Sequence, residues 1–384
     1  MRRVGIIGVG LTDVGEHWDK SLDDLFVEAA CKALDDAGVR KIDALYVGNM
    51  LSMFLREQGH LGAYLADKLG FRGIHAVSIE AGCASGGAAL AEAVMAVKSG
   101  RFKLVLVGGV EKMTDTLTDE VTYGLTFAED VYGMEYSGAT FVGLNAMLHR
   151  LYMKRYGVSE EKITSLAVQA HENASKAKHA MFKKRITLEE ALKSPMIADP
   201  IRLFDTSPIC DGAAALVIAP INQEVDRRII EIVGSSIATQ TMSVYERRDM
   251  LWFEATNKAA KRALREAGIS IRDVDLIEIH DAFTITGVLS LEALEVFNRG
   301  KAADEVFLGK TRLNGDIPVN TFGGLKARGH PIGATGIYQV VEAALQLRGE
   351  AGANQIKRDV KIALTQNIGG IDSTAVVHVL RRIK

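Results

Sequence analysis

Apolar positions along the chain switch between two spacings. Residues 3–9 form an almost unbroken apolar run, the pattern of a strand buried on both faces. Helical spacing follows behind Ser21, an N-cap residue, and runs to Ala37, with Gly38 as its stop. Residues 42–47 predict a second strand, and a glycine-punctuated helix spans 51–69. A third strand is predicted over 75–79 and an alanine-rich helix over 85–98. A fourth strand over 103–107 ends in Gly108-Gly109. Strands alternating with helices in this way argue for a layered α/β domain.

The second part of the chain repeats the pattern. Ala37-Gly38 before the run at 42–47 matches Ala267-Gly268 before the run at 274–279. Cys83-Ala84-Ser85-Gly86 opens one helix, and Gly333-Ala334-Thr335-Gly336 opens another over 337–347. A strand at 361–365 approaches Gly369-Gly370 as the earlier one approaches Gly108-Gly109. Paired segments in the same order imply two copies of one α/β unit, 1–225 and 226–384. Between 114 and 205 the chain is richer in charge, Tyr, Met and His, with a helical pattern at 159–178 and no clear period at 118–136. A buried-strand pattern resumes at 213–218, so 114–205 reads as a segment inserted into the first copy, and such insertions often cover an active site. Residues 221–226 read as a short crossing between the copies.

Composition narrows the function class. A net charge of −2 provides no basic field for nucleic acid or an anionic membrane surface. No apolar run approaches the roughly 20 residues of a membrane span. The start of the chain enters a strand directly, without a signal-peptide pattern, so a cytoplasmic location is expected. The three cysteines (Cys31, Cys83 and Cys210) have no CxxC spacing, so neither a zinc site nor a disulfide framework is expected.

Cys83 sits where a strand turns into a helix. A helix N-terminus carries free N–H groups and partial positive charge, which favour a thiolate. The plainer reading is a buried cysteine at a tight turn. Three more stretches fall at predicted strand ends or on loops leading into helices, where open α/β sheets bind ligands. They are Ile279-His280-Asp281-Ala282-Phe283, the glycine-wrapped loop around His330-Pro331, and Gln366-Asn367-Ile368-Gly369-Gly370.

Together these residues resemble the thiolase family. The resemblance rests on Gly-Cys83-Ala-Ser-Gly, Gly-His330-Pro-Ile-Gly-Ala-Thr-Gly, Glu111-Lys112-Met113-Thr114 and Ser207-Pro-Ile-Cys-Asp211-Gly, and it spans nearly the whole chain. The His280-Asp281-x-Phe283 form is similar to the sterol-carrier-type and archaeal branch. The resemblance implies an α/β fold of duplicated αβαβα layers with an inserted loop domain. It implies acyl-CoA C-acyltransfer, acetyl-CoA to acetoacetyl-CoA, with Cys83 as nucleophile and His330 as its base. It places one oxyanion hole at His330 and His280, and the other at the backbone N–H groups of Cys83 and Gly369. It implies coenzyme A thioesters as substrates, no metal or nucleotide cofactor, a homodimer or homotetramer, and a role feeding isoprenoid synthesis. A small zinc-ribbon/OB-fold protein and a hydroxymethylglutaryl-CoA synthase are the partners it implies.

The chain departs from the family at one chemical point. The second cysteine of most thiolases lies in a C-terminal Cys-x-Gly, where Asn367-Ile368-Gly369 stands here, or in His-Asp-Cys-Phe, where Ala282 stands. His280, Asp281 or a held water is then expected to carry the second proton transfer, or Asp281 to orient a neighbour. A non-catalytic acyl-CoA or lipid-binding protein, a thioester hydrolase and a retro-aldolase are the rival readings. Cys31 and Cys210 read as core, and His149, His171 and His179 as solvated surface. Arg227-Arg228 and Arg247-Arg248 read as surface pairs or as contacts to a coenzyme A phosphate. The Met-bearing stretches Leu51-Ser-Met-Phe and Tyr132-Gly-Met-Glu-Tyr read as tunnel lining or as a dimer contact.

Overall fold

The computed structural model describes residues 2–221 and 228–383. The predicted crossing, the boundary between residues 225 and 226, and Arg227 fall wholly or mostly outside those residues. The described residues hold eleven strands: β1 (Val4–Leu11), β2 (Ala44–Gly48), β3 (His75–Ile79), β4 (Val105–Glu111), β5 (Met196–Ala198), β6 (Ile201–Arg202), β7 (Gly212–Pro220), β8 (Ile230–Thr239), β9 (Leu276–Glu278), β10 (Ile362–Gly369) and β11 (Thr374–Arg382). β5 and β6 make a small ribbon. The other nine form one mixed sheet in the order β3-β2-β4-β7-β1-β8-β11-β10-β9.

Four strands on each side of its centre correspond, with β3 as an extra strand at one edge. β1 and β8 pair antiparallel through Val4↔Ile232 and Ile6↔Ile230. Outward from them lie β7 and β11, then β4 and β10, then β2 and β9. In each half the outer of these pairs is parallel (β2 with β4, β9 with β10) and the pair inside it antiparallel (β4 with β7, β10 with β11). The helices repeat as well. Helices Leu22–Ala37 and Glu254–Ala267 both end in a left-handed glycine, Gly38 and Gly268, whose N–H caps the last carbonyls. They pack on the outer faces of their halves, whereas Ser85–Lys98 and Thr335–Arg348 lie between the halves and touch strands of both. Thr335–Arg348 has 12 of its 14 residues buried, so it has no solvent face and belongs to the central layer. Among the described residues, no helix is long and apolar enough to cross a membrane.

Several local expectations change. The fourth strand runs on through Gly108-Gly109 to Glu111. The stretch at 51–69 holds two helices, Ser52–Leu55 and Leu61–Lys68. The segment without a clear period contains helices Thr118–Leu125 and Val131–Ser137. Their short length leaves too few turns for a period to register. Cys31 is exposed, one position off the buried face of its helix.

Candidate active site

The repeat itself brings the chemistry together. The N-terminal ends of the two central helices meet at glycines. A side chain on Gly86 would lie 2.7 Å from the Gly333 carbonyl, and one on Gly336 would lie 2.4 Å from the Gly87 nitrogen. Only glycine permits that approach. Cys83 precedes the first helix and His330 the second, so the crossing places them side by side. His280 follows β9 of the second half. One ligand-type atom from each of Cys83, His280 and His330 lies within 4.8 Å of the other two, and all three residues are buried.

The turn carrying Cys83 is held locally. The Ser85 hydroxyl donates to the Gly82 carbonyl (2.5 Å) and accepts from the Ala81 N–H (2.9 Å). The loop carrying His330 is held by Glu111, at the end of β4. That carboxylate accepts the N–H groups of Gly333 (2.9 Å), Met50 (3.1 Å) and Leu51 (3.1 Å) and the Asn49 amide (2.9 Å). Cys210 also serves this loop, because its sulfur accepts the His330 N–H at 3.0 Å. Its role therefore extends beyond filling the core.

The two imidazoles are set in opposite tautomers. The Thr335 hydroxyl donates to the Pro331 carbonyl (3.1 Å), so at 2.6 Å it accepts from Nδ1–H of His330. Nε2 of His330 then carries a lone pair, as a base requires. The Asn367 amide nitrogen lies 3.1 Å from the Cys83 carbonyl and 3.1 Å from Nδ1 of His280. A carbonyl needs a donor, which fixes the amide's orientation. Nδ1 of His280 is then an acceptor, and its proton sits on Nε2. His280 is thus built as a donor. The same arrangement argues against a metal ion on the three groups. A metal-bound imidazole donates through its other nitrogen, and here Nδ1 of His280 accepts instead.

The groups are neutral at rest. Burial, then the nearby Glu111 carboxylate, pushes the Cys83 thiol up to about 12. This outweighs the helix N-terminus, from which the sequence suggested easy ionisation. Burial, then the Arg328 charge, holds His280 at about 3. Burial, His280 and Arg328 hold His330 well below its ordinary value. Arg328 is itself buried, 3.1 Å from Glu342 and over the Tyr338 ring at 4.8 Å.

Two expected site residues stand apart from this cluster. Asp281 is not in the cluster. Successive side chains on extended backbone point to opposite sides, and the Asp281 carboxylate turns away to accept the Leu325 N–H at 2.7 Å. It fixes the loop before His330 and is a positioning residue. The backbone N–H groups of Gly370 and of Cys83 itself hold the thiol down against the rise that burial imposes. Gly369 closes the β10–β11 ladder opposite Thr374.

The histidines of the inserted segment are buried, contrary to expectation. His179 bonds Glu342 at 2.8 Å, and Nδ1 of His171 lies 3.1 Å from the Lys184 carbonyl. His149 is buried on an inward helix face. Arg228 pairs with Asp36 and Glu350. Arg247 is buried, while Arg248 lines a surface cavity of about 790 Å³ with Trp252 and Arg299. Met53, Phe54, Tyr132 and Tyr136 are exposed, and Met134 lines a second cavity of about 580 Å³. The sequence reading missed Glu111, Thr335 and Asn367 as supports. Glu111 at a strand end and Thr335 within the His330 loop lay in quoted motifs, but their partners come from distant segments.

Comparison with known proteins gives the family. The family described as "Thiolase, N-terminal domain" matches residues 4–222, and "Thiolase C-terminal domain-like" matches 236–382. The acetyl-CoA acetyltransferase of Methanothermobacter thermautotrophicus is 43% identical, covering 100% of both chains. That of Methanocaldococcus jannaschii is 39% identical, covering 99% of each. Among solved structures, an Ltp2–ChsH2(DUF35) aldolase superposes with a TM-score of 0.86 at 23% identity, covering 99% of this chain and 98% of the other. Human mitochondrial 3-ketoacyl-CoA thiolase superposes with a TM-score of 0.75 at 20% identity, covering 100% of this chain and 99% of the other. With both halves matched and relatives aligned end to end, the chain belongs to the thiolase family.

Proposed function

We propose that this protein is an acyl-CoA C-acyltransferase that forms or cleaves a short 3-ketoacyl-CoA, acetoacetyl-CoA in the simplest case, through an acylated Cys83. The observation that carries the reading is the convergence of one thiol, one imidazole poised as acceptor and one poised as donor within 4.8 Å. His330 Nε2 takes the thiol proton as sulfur attacks the thioester carbonyl. Coenzyme A leaves as a thiolate and recovers that proton. A second acyl-CoA then gives an α-proton to the same nitrogen. Its enolate carbon attacks acyl-Cys83, and the departing Cys83 sulfur takes the proton back. Each half-reaction removes one proton from a nucleophile and returns one to a leaving sulfur. One imidazole therefore suffices without a second cysteine.

Negative charge builds on two oxygens. The Cys83 and Gly369 N–H groups, the pair that the resemblance implies, receive the one on the acyl carbon, and His280 Nε2–H the one on the enolate. Neutral resting groups suit this cycle, since proton transfer then accompanies attack. Within this reading the chain works as a homodimer or homotetramer with a small zinc-ribbon/OB-fold partner, as the family resemblance implies.

The test is incubation with labelled acetyl-CoA, followed by thiolysis of acetoacetyl-CoA with free coenzyme A. Wild type is expected to carry label on Cys83 and to release acetyl-CoA, and Cys83→Ala to do neither. A wild type that is unlabelled and inactive with or without a candidate partner would leave the binding-protein and retro-aldolase readings.

A further inference from the structure

We propose that Cys210 is a positioning residue for the acyl transfer, holding the peptide that aims His330 at Cys83. The inference rests on the acyl-transfer reading above. Gly329, the residue before His330, has φ +111°, a conformation that favours glycine. A side chain there would lie 2.5 Å from Val14 and 3.1 Å from the Cys210 sulfur. The glycine is required, and it leaves the backbone free to swivel where the base begins. The His330 N–H lies in the peptide that joins these two residues. The direction of that N–H sets the ψ of Gly329 and the φ of His330, and hence where the imidazole points. The Cys210 sulfur takes it at 3.0 Å.

Beyond His330 the turn is held several times over. The Pro331 ring restricts its φ, here −69°. The Thr335 hydroxyl donates to the Pro331 carbonyl at 3.1 Å, and the Gly333 N–H donates to Glu111 at 2.9 Å. Before His330, the Arg328 carbonyl accepts the Met181 N–H at 3.0 Å. Between the Arg328 carbonyl and Pro331, among the described residues, the backbone is held by the hydrogen bond to Cys210. The one swivelling peptide of the loop therefore has its anchor in this sulfur.

The sulfur is fixed in turn through the next residue. The Asp211 N–H donates to the Gly15 carbonyl at 2.8 Å, and the Gly15 N–H donates to the Asp211 carbonyl at 3.2 Å. The buried Asp211 carboxylate accepts the N–H groups of Met113 (2.7 Å), Thr114 (2.9 Å) and His17 (3.1 Å), and it pairs with Lys112 at 2.7 Å. Lys112 follows Glu111, which holds Gly333, and Glu111 stands opposite Gly212 where β4 pairs with β7. The end of β4 and the start of β7 thus make a fork on the His330 turn. Glu111 is one prong, Cys210 the other, and the Lys112–Asp211 ion pair joins them. Burial pushes the Cys210 thiol up and keeps it neutral, so this cysteine is an acceptor within the fork and no second nucleophile.

The experiment is thiolysis of acetoacetyl-CoA by the full-length chain carrying Cys210→Ala or Cys210→Ser, with thermal melts alongside. The Ala variant is expected to lose kcat by about 10- to 100-fold, the range for a displaced general base, with KM within about threefold. The Ser variant keeps an atom that accepts the His330 N–H and is expected to stay within about fivefold of wild type. A second readout bypasses the imidazole. At about pH 10 hydroxide ionises the Cys83 thiol, so its alkylation by iodoacetamide, read by mass spectrometry, should stay within about threefold of wild type in the Ala variant. A merely structural role would slow alkylation and turnover together and would not be rescued by Ser. If the Ala variant does not fold, Cys210→Val, which fills the space and offers no acceptor, is expected to show the same kcat loss. Wild-type kcat in a folded Ala or Val variant, equal impairment of Ala and Ser, an equal loss of Cys83 alkylation, or a loss confined to KM overturns the inference. An inactive, unacylated wild type overturns the acyl-transfer reading as well, so the two failures are distinguishable.

Discussion

Replacing Asn367 by Asp tests the opposed tautomers with a change of one atom type. In the native site the Asn367 amide donates to Nδ1 of His280 at 3.1 Å, which keeps the ring proton on Nε2. A carboxylate in that place accepts, so the proton moves to Nδ1 and Nε2 is left with a lone pair. The group facing the developing enolate oxygen then changes from attraction to repulsion. Removing one oxyanion donor costs about 2.7–4 kcal/mol, or about 10²–10³ in kcat. The new oxygen also faces the Cys83 carbonyl, 3.1 Å from the native nitrogen. Losing that buried hydrogen bond is expected to cost a further 1–3 kcal/mol, roughly, in stability. The assay is steady-state thiolysis of acetoacetyl-CoA with a parallel melt, which separates the two effects. A second readout is independent of catalysis. With Nδ1–H donated to a carboxylate, His280, His330 and Cys83 acquire the outer shell of a metal site, and the variant should bind Zn²⁺ more tightly than wild type by calorimetry. A folded variant with kcat within about tenfold of wild type and no gain in Zn²⁺ affinity would refute the tautomer assignment.

Two further outcomes follow from the same geometry. The Cys83 thiol is pushed up to about 12, so its thiolate fraction grows as pH rises. Alkylation by iodoacetamide, read by mass spectrometry, should accelerate about tenfold per pH unit from about pH 7 to about pH 10; a plateau below about pH 9 would sink the neutral-thiol picture. Asp281→Asn retains an oxygen for the Leu325 N–H. It should keep kcat within about tenfold of wild type, and a loss of about 10³ or more would return Asp281 to the proton-transfer steps.

The sequence displayed the repeat well because its markers are local. Helix stops such as Gly38 and Gly268, and the small-residue helix openings at Ser85 and Thr335, are dictated by backbone geometry within a few residues. Cys83, His280 and His330 were legible for a related reason: each lies in a short stretch shaped by turns and strand ends. Less legible was anything decided across the seam. Whether position 280 or 281 faces the sulfur depends on where β9 stops pleating. The inserted histidines looked solvated because charged residues surround them in sequence, yet their helices turn them inward. His179 meets Glu342, whose number gives no hint of it.

The central symmetry of the sheet makes the active site a property of the join between the halves. Cys83 belongs to one repeat and both histidines to the other, with no reactive group duplicated in both. Neither repeat alone contains a nucleophile together with its base. Catalysis is thus a direct gauge of how the two halves are rotated on each other, and the packed glycines at Gly86 and Gly336 leave no slack to absorb a change in that angle. The 580 Å³ cavity, lined mostly by the inserted segment, is built largely outside that seam.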